Sequence, residues 1–186
     1  MLRREFVAGG LAVLFASTAT AIGHEGGEQF ELAPEFAPQD VEFFGYAPGT
    51  VVIDPGNHFL YLVGEGSRAL RYGVGVGRAG RTFKGVATIE RKAEWPSWRP
   101  TDNMIRRNPR KYARYARGLR GGPNNPLGAR GLYLYKDGRD TMYRIHGTNE
   151  PWSIGQSVSN GCIRMLNEHV IDLYERIPLG TTVVVL

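Results

Sequence analysis

The chain reads TVVIDPGNHFLYLVGEGSRALRYGVGV from residue 50 to residue 76, and this stretch decides the fold class. It contains three apolar runs, at residues 50–54, 58–63 and 69–76, which are separated by Pro-Gly-Asn and Gly-Glu-Gly. Short apolar runs bounded by Gly and Pro are typical of β-strands. The middle run is apolar on both of its faces, which predicts a strand in the interior of a sheet.

Further strands are predicted at residues 86–95, 132–136, 141–146 and 181–186. The dipeptide Asp137-Gly138 separates two of them and is a strong signal for a tight hairpin. One segment predicts a packed helix: Asn167 is a good N-cap, apolar residues then recur at helical spacing, and Pro178 and Gly180 end it. The sequence therefore predicts a mainly β domain with one helix packed on it.

The N-terminus has the pattern of a secretory signal peptide. Arg3 and Arg4 precede an apolar run of about 10 residues, half of the roughly 20 that a membrane-spanning helix needs. The small-residue pattern Ala19-Thr20-Ala21 follows, so we expect residues 1–21 to be removed on export. Arg3-Arg4 fits a twin-arginine signal as well as an ordinary positively charged leader. We expect an exported, periplasmic protein.

The remaining chain divides into two parts. Residues 22–47 are rich in Gly, Glu, Pro and Ala without periodicity, which predicts an exposed lead-in segment. Residues 48–186 are predicted to form one domain. Because the chain has a single cysteine, no internal disulfide can form, and this domain must be stabilised by packing alone.

A long connection between residues 95 and 130 contains five prolines, with short helices predicted near residues 101–108 and 111–117. It has no acidic residue from residue 103 onward, and cations crowd its first half: Arg106, Arg107, Arg110, Lys111, Arg114, Arg117 and Arg120. Connections of this length in a compact domain are usually lids or binding loops. Because export argues against a nucleic-acid partner, we predict a basic lid for an anionic or carboxylate-bearing substrate. A plain solvated loop is the alternative.

The single thiol stands in Ser159-Asn160-Gly161-Cys162-Ile163-Arg164, shortly after His146-Gly147-Thr148-Asn149. It is either a small buried hydrophobe or a nucleophile. A nucleophilic thiol needs a base or a cation nearby, and His146 at a predicted strand end is the best candidate, with His58 and His169 as rivals. Gly147 would permit an unusual turn that aims the ring. The sequence thus predicts an ionised sulfur beside an imidazole.

The neighbours of the thiol suggest further roles. The amides of Gly161 and Cys162 could face a developing oxyanion, while Ser159 and Asn160 could hydrogen-bond within the turn. Arg164 could bind either a substrate carboxylate or a nearby acidic side chain. The four histidines are scattered and have no metal-ligand spacing relative to the cysteine, so no metal or cofactor is predicted.

These two motifs together resemble the signature of the L,D-transpeptidase catalytic domain of bacterial cell-wall enzymes. The resemblance runs from about residue 50 to residue 186, and Thr82-Phe83-Lys84-Gly85 is similar to the Thr-Pro-x-Gly turn of that family. Many members carry His immediately before the Gly-Cys pair, where this chain has Asn160. That difference leaves the Cys–His pair intact and makes the reaction rate or acceptor choice uncertain.

The resemblance implies a β-sandwich-like fold in which Cys162 attacks the third residue of a peptidoglycan tetrapeptide stem and D-Ala leaves. The acyl group then passes to an amine, on a second stem or on an outer-membrane lipoprotein lysine. His146 would be the base and the Gly147 carbonyl its orienting group. Oxyanion and substrate binding would fall to Gly161, Asn160, Ser159, Arg164 and Asn149. Carbapenem-type inhibitors would acylate the same thiol.

Other function classes remain open. A carboxypeptidase or endopeptidase of the cell wall would use the same pair with water as acceptor, although the commonest such endopeptidases place Cys before His. A sortase has the right order, but its Thr-x-Thr-Cys pattern is absent. A non-catalytic wall-binding module would simply pack Cys162 in its interior.

Overall fold

A computed structural model describes residues 30–80 and 83–186. The predicted signal peptide and Thr82 of the family-like turn lie outside these residues. The described strands are β1 (Gln39–Glu42), β2 (Val51–Asp54), β3 (Phe59–Val63), β4 (Arg68–Gly73), β5 (Val76–Gly77), β6 (Gly85–Glu94), β7 (Arg130–Lys136), β8 (Arg139–His146), β9 (Ser157–Ser159), β10 (Ile163–Arg164) and β11 (Thr182–Val185). The described α-helices are α1 (Asp102–Arg107), α2 (Pro109–Tyr112) and α3 (Asn167–Arg176).

Most of these strands form one sheet in the order β1-β4-β3-β2-β11-β6-β7-β8-β10, and β5 pairs with β9 in a second, small sheet. The mainly β prediction is confirmed, and β3 lies in the sheet interior as its apolar faces predicted. Asp137 and Gly138 both have positive φ angles, 50° and 69°, and join β7 to β8 in the predicted hairpin. The last strand, β11, pairs in parallel with β2, which is the first strand within the predicted domain of residues 48–186.

The run predicted as one strand over residues 69–76 is two strands. β4 ends at Gly73, and Gly75 then forms an antiparallel bridge with Arg164. A Cβ atom at Gly75 would collide with the Ser153 carbonyl oxygen, so glycine permits this close approach. The break brings the chain beside the turn that carries the cysteine.

The core lies between the sheet and α3. Val170, Leu173 and Ile177 are buried against apolar residues of the central strands, and α3 contacts β7 and β8. Burial of such side chains contributes roughly 1.5–3 kcal/mol each. The predicted helix is therefore confirmed, and it packs on the strand that ends at the candidate base.

The start of α3 differs from the prediction. Leu166 occupies the N-cap position, and Asn167 is the first helical residue. The Asn167 Oδ1 atom accepts a hydrogen bond from the Ala129 amide at 2.9 Å instead of capping the helix. Cap propensity was the wrong explanation for this residue, because its side chain serves a contact with a distant loop.

Part of the segment predicted as an exposed lead-in is packed. β1 pairs with β4 and forms one edge of the large sheet, and a 3-10 turn at Pro34–Phe36 precedes β1. The Phe36 ring lies 5.7 Å from that of Phe59, and the Phe43 ring stacks on Tyr61 at 4.2 Å. These contacts cover the second apolar face of β3. The short edge strand escaped prediction because half of its residues stay exposed and it shows no apolar periodicity.

The basic connection folds into short capped elements. Thr101 caps α1 by accepting from the Met104 amide, and Asn108 caps α2 by accepting from the Lys111 amide. The first predicted helix is confirmed, whereas the second is shorter and ends in a 3-10 turn at Ala113–Tyr115. Among residues 30–80 and 83–186, no helix is long and apolar enough to cross a membrane.

Candidate active site

A cleft of about 1140 Å³ opens between the basic connection and the edge of the sheet that carries β8 and β10. Its lining includes Cys162, Asn160 and Gly161 from the cysteine turn, and Trp98, Arg107 and Lys111 from the connection. The structure thus places the predicted lid beside the thiol. We call residues 95–129 the lid from here on.

The register of two parallel strands brings the cysteine and the histidine to one face. Ile163 is paired with Ile145, and Arg164 with His146. Ile145 and Ile163 belong to the buried core, and side chains alternate along a strand, so His146 and Arg164 lie on the opposite face. Cys162 stands two residues before Arg164 and lines the cleft on that face.

His146 is held in one orientation. Its Nδ1 atom is 2.6 Å from the Gly147 carbonyl oxygen. A carbonyl can only accept, so Nδ1 carries the proton and Nε2 keeps the lone pair of a base. Burial lowers the pKa of His146 to about 4, although the Gly147 hydrogen bond opposes this shift. The ring is therefore neutral at neutral pH.

Gly147 is required by packing and not by an unusual turn. The φ angle of Gly147 is not positive, so the prediction that this glycine permits an unusual backbone turn is wrong. A Cβ atom there would collide with Asn167 Oδ1 and the Ala129 amide nitrogen, and one at Gly128 would collide with the same Asn167 oxygen. Asn167 therefore positions the corner that orients His146. Sequence reasoning missed this role because an Asn at a helix start was interpreted as a cap.

The thiol differs from the ionised sulfur that the sequence predicted. Burial raises the pKa of Cys162, and a backbone hydrogen bond from Arg144 together with the charges of Arg144 and Arg164 only partly offsets this. With a neutral imidazole and a raised thiol pKa, the resting pair is uncharged at neutral pH.

The cysteine turn is held by Ser159. Its hydroxyl donates to the Cys162 carbonyl oxygen at 2.7 Å and accepts from the Gly161 amide at 3.0 Å. Gly161 has a φ of 135°, a conformation that favours glycine. The Gly161 amide, one of the two predicted oxyanion donors, therefore already donates to a protein oxygen in this structure. Ser159 is a buried structural residue of the turn.

Two arginines near the thiol are paired with carboxylates. Arg164 Nη1 donates to Glu150 Oε2 at 2.6 Å, which selects the acidic side chain of the two partners predicted for Arg164. Arg144 forms two hydrogen bonds with Asp140, at 2.7 and 2.8 Å, and its guanidinium lies 4.3 Å from the Tyr133 ring centroid. Sequence reasoning missed Arg144, Asp140 and Glu150, since no local pattern links them to the cysteine.

Other predicted residues lie elsewhere. Asn149 does not line the cleft, and its side chain donates to the Asn124 carbonyl at 3.1 Å. None of the three candidate histidines is itself a lining residue of the cleft. His58 contacts the Ser157 hydroxyl and His169 packs near the Tyr72 ring, whereas His146 is paired in register with Arg164, two residues after Cys162. Within the part of the chain that is described, no three His, Cys, Asp or Glu side chains converge as metal ligands do.

The comparison with protein families matches the description "L,D-transpeptidase catalytic domain" to residues 48–185. A protein of Escherichia coli K12, named Probable L,D-transpeptidase ErfK/SrfK, is 36% identical over 136 residues, which are 72% of this chain and 42% of that protein. The chain therefore spans less than half the length of this curated relative.

Two solved structures share the fold. One is titled a probable carnitine operon oxidoreductase from Brucella melitensis; it is 57% identical, with a TM-score of 0.58 over 83% of this chain and 96% of that one. The other is L,D-transpeptidase 3 from Mycobacterium tuberculosis in complex with a faropenem-derived adduct. It is 17% identical, with a TM-score of 0.53 over 73% of this chain and 59% of that one.

Proposed function

We propose that this chain, which belongs to the family of L,D-transpeptidase catalytic domains, is a cysteine acyltransferase acting on peptidoglycan tetrapeptide stems. The observation that carries the proposal is the placement of Cys162 in an open cleft, on the same sheet face as a neutral, oriented His146. A merely packed cysteine, as in a wall-binding module, would not line such a cleft.

The first half-reaction forms a thioester. As the Cys162 sulfur attacks the carbonyl carbon of the third stem residue, the His146 Nε2 atom takes the thiol proton. The carbonyl oxygen becomes an oxyanion, for which the Cys162 amide is the candidate donor. When the carbon–nitrogen bond breaks, His146 returns the proton to the departing amine, and D-Ala leaves.

The second half-reaction uses an amine. The amine nitrogen attacks the thioester carbonyl, a carbon–nitrogen bond forms, and the sulfur leaves and is reprotonated through His146. A second stem or an outer-membrane lipoprotein lysine is the proposed acceptor. Because water competes for the same thioester, the lid over the cleft favours transfer by limiting solvent access. Deletion of residues 106–120 should then raise hydrolysis relative to transfer.

The Brucella structure is named an oxidoreductase, which is a different reaction class from acyl transfer. This chain does contain glycines at residues 75, 77 and 80, the spacing of a dinucleotide-binding turn. In that turn a strand is followed directly by a helix, whereas here the next described element is strand β6. These glycines therefore do not stand in the strand–helix turn that binds a dinucleotide.

Incubation of the purified protein with a tetrapeptide stem tests the proposal by intact mass spectrometry. We expect an acyl adduct on Cys162 with loss of D-Ala, absent in Cys162→Ala and weakened in His146→Ala. A carbapenem should block the same thiol. Addition of a stem amine should convert the adduct into a cross-linked product, whereas release of a tripeptide alone would identify a carboxypeptidase. No adduct with the folded wild type would refute the proposal.

Export to the periplasm, also proposed here, would show as loss of residues 1–21 in the mature protein.

A further inference from the structure

Glu150 is the only carboxylate among the described residues that line the Cys162 cleft. Six cationic side chains line the same cleft: Arg78, Arg99, Arg107, Lys111, Arg144 and Arg164. Carboxylates of a substrate thus meet many partners there. A positively charged group of a substrate has Glu150 as its one oppositely charged partner in the lining, because every other charged side chain there would repel it.

The backbone of Glu150 is fixed by buried neighbours. Its amide donates to the Thr148 hydroxyl at 2.9 Å, and its carbonyl accepts from the Ser153 hydroxyl at 2.6 Å and from the Ser153 amide at 3.0 Å. Thr148 and Ser153 are both buried. The root of the Glu150 side chain is therefore held in place before any ligand arrives, as binding sites require.

The ion pair with Arg164 leaves Glu150 accessible. The Arg164 side chain is 18% exposed and that of Glu150 is 37% exposed, so the carboxylate is the member of the pair that faces solvent. Only Oε2 accepts from Arg164, whereas a carboxylate offers about four lone-pair positions. The ion pair with Arg164 orients the Glu150 side chain, and the remaining lone pairs of its carboxylate can accept a hydrogen bond from a further donor.

An aromatic side chain accompanies the carboxylate. Trp152 stands two residues after Glu150, is 64% exposed and lines the same cleft. The exposed indole offers a π face to a cation within the cleft. Ammonium groups are bound well by a carboxylate combined with an indole face.

We propose that Glu150, together with Trp152, binds a primary ammonium group of the stem substrate. This inference rests on the proposed function and adds the specificity of the cleft to it. The ammonium group has two sources of the same chemistry: the side chain of the third residue of the donor stem, or the acceptor amine. Glu150 is then a binding residue, and the acid–base steps stay with His146.

The transfer step balances without further reactants. An acceptor bound as an ammonium releases one proton to solvent and then attacks the thioester carbon as a free amine. The carbon–nitrogen bond forms, the carbon–sulfur bond breaks, and the second proton passes through His146 to the departing sulfur. Glu150 raises the local concentration of the acceptor near the thioester.

The experiment compares wild type with Glu150→Gln, which can still accept from Arg164, and with Asp140→Asn. The second variant is a matched control, because Asp140 pairs with Arg144 near the thiol and does not line the cleft. Two donors are used: a tetrapeptide with a free side-chain amine at its third residue, and the same peptide acetylated there. Adduct formation and the ratio of aminolysis to hydrolysis are measured, with thermal unfolding to confirm folding.

If Glu150 binds the donor ammonium, Glu150→Gln slows adduct formation about tenfold for the free amine and leaves the acetylated donor unaffected. If Glu150 binds the acceptor, adduct formation is unchanged and the aminolysis ratio falls by about the same factor. Equal slowing of both donors without a changed aminolysis ratio, or no effect beyond that of Asp140→Asn, overturns the inference.

Failure of the proposed function would look different, because wild type would then form no adduct with either donor. In that case the inference is tested by binding to Cys162→Ala in a calorimeter. Tighter binding of the free-amine peptide than of the acetylated one, lost in the Cys162→Ala/Glu150→Gln variant, supports the ammonium site. Equal binding of the two peptides overturns it.

Discussion

The cysteine turn and the lid face each other across one cleft but are held in opposite ways. The turn is bounded by buried Ser159 and Ile163, paired with β8, and stabilised by two bonds to the Ser159 hydroxyl. Within the lid, helices α1 and α2 are one or two turns long and contain no buried residue, and the lid cations are exposed.

This difference separates two tasks. Chemistry needs the thiol and the imidazole in a fixed geometry, which a sheet with a packed core provides. Substrate entry needs a cover that can open, and elements with few buried contacts open at low cost in free energy. The comparison predicts that changes on the sheet side abolish chemistry or stability, whereas changes in the lid tune rates.

The largest effect is expected at His146. His146→Gln should lower the rate of adduct formation by about 100- to 10,000-fold, because the thiol is neutral and needs a general base. Single-turnover mass spectrometry at fixed pH measures this rate. His58→Gln is the control, since that histidine contacts Ser157 and is not paired with the strand that follows the cysteine. A similar loss there would break the distinction between the two regions.

A second prediction concerns the pH dependence of stability. Burial lowers the pKa of His146 from 6.5 to about 4, so between these values the unfolded chain binds the proton more readily than the folded one. The free energy of unfolding should therefore fall as the pH drops through this window, by about 2 kcal/mol between pH 7 and pH 4.5. Denaturant unfolding at pH 7 and pH 4.5 measures the fall.

His169 contributes in the same direction, because burial lowers its pKa as well. Because His169 is present in both proteins, the comparison of wild type with His146→Gln isolates the contribution of His146. Wild type should lose more stability than His146→Gln across the same pH window. Equal losses in the two proteins would show that His146 titrates like an exposed histidine.

Gly147→Ala tests the packing beneath the base. The added methyl group would meet Asn167 Oδ1 and the Ala129 amide, and such overpacking costs about 1–3 kcal/mol. Gly64→Ala is the matched control, because its nearest atom lies at an ordinary 3.5 Å and its effect should stay within about 0.5 kcal/mol. Urea unfolding gives both values, and similar costs for the two would contradict the packing argument.

The smallest effect is expected in the lid. Arg107→Gln/Lys111→Gln removes two cations that line the cleft and should lower kcat/KM for acylation about threefold, with a weaker effect at high salt. Arg106→Gln/Arg110→Gln removes two exposed cations outside the lining and should have less effect at equal net charge. Equal losses would mean that the lid acts only through its overall charge.

The prediction of the fold succeeded where the information is local. Residues 58–63 indicated an interior strand by their apolar faces, and Asp137-Gly138 indicated a hairpin by the φ angles that such residues tolerate. Prediction failed for β1, because a short edge strand with one solvated face carries no periodicity. It also failed for Asn167, whose hydrogen bond reaches a residue 38 positions away.

By itself the sequence determined the β class and the single available thiol, and it pointed to His146 as the candidate base, because residue types and short spacings carry that information. Only the tertiary structure decided the directions in which the pKa values of Cys162 and His146 shift, the hydrogen bond of the Gly161 amide to Ser159, and the pairing of Arg164 with Glu150. Each of these depends on burial or on contacts between distant segments. Burial sets the free energy of a charge, and it exists only once the strands have assembled.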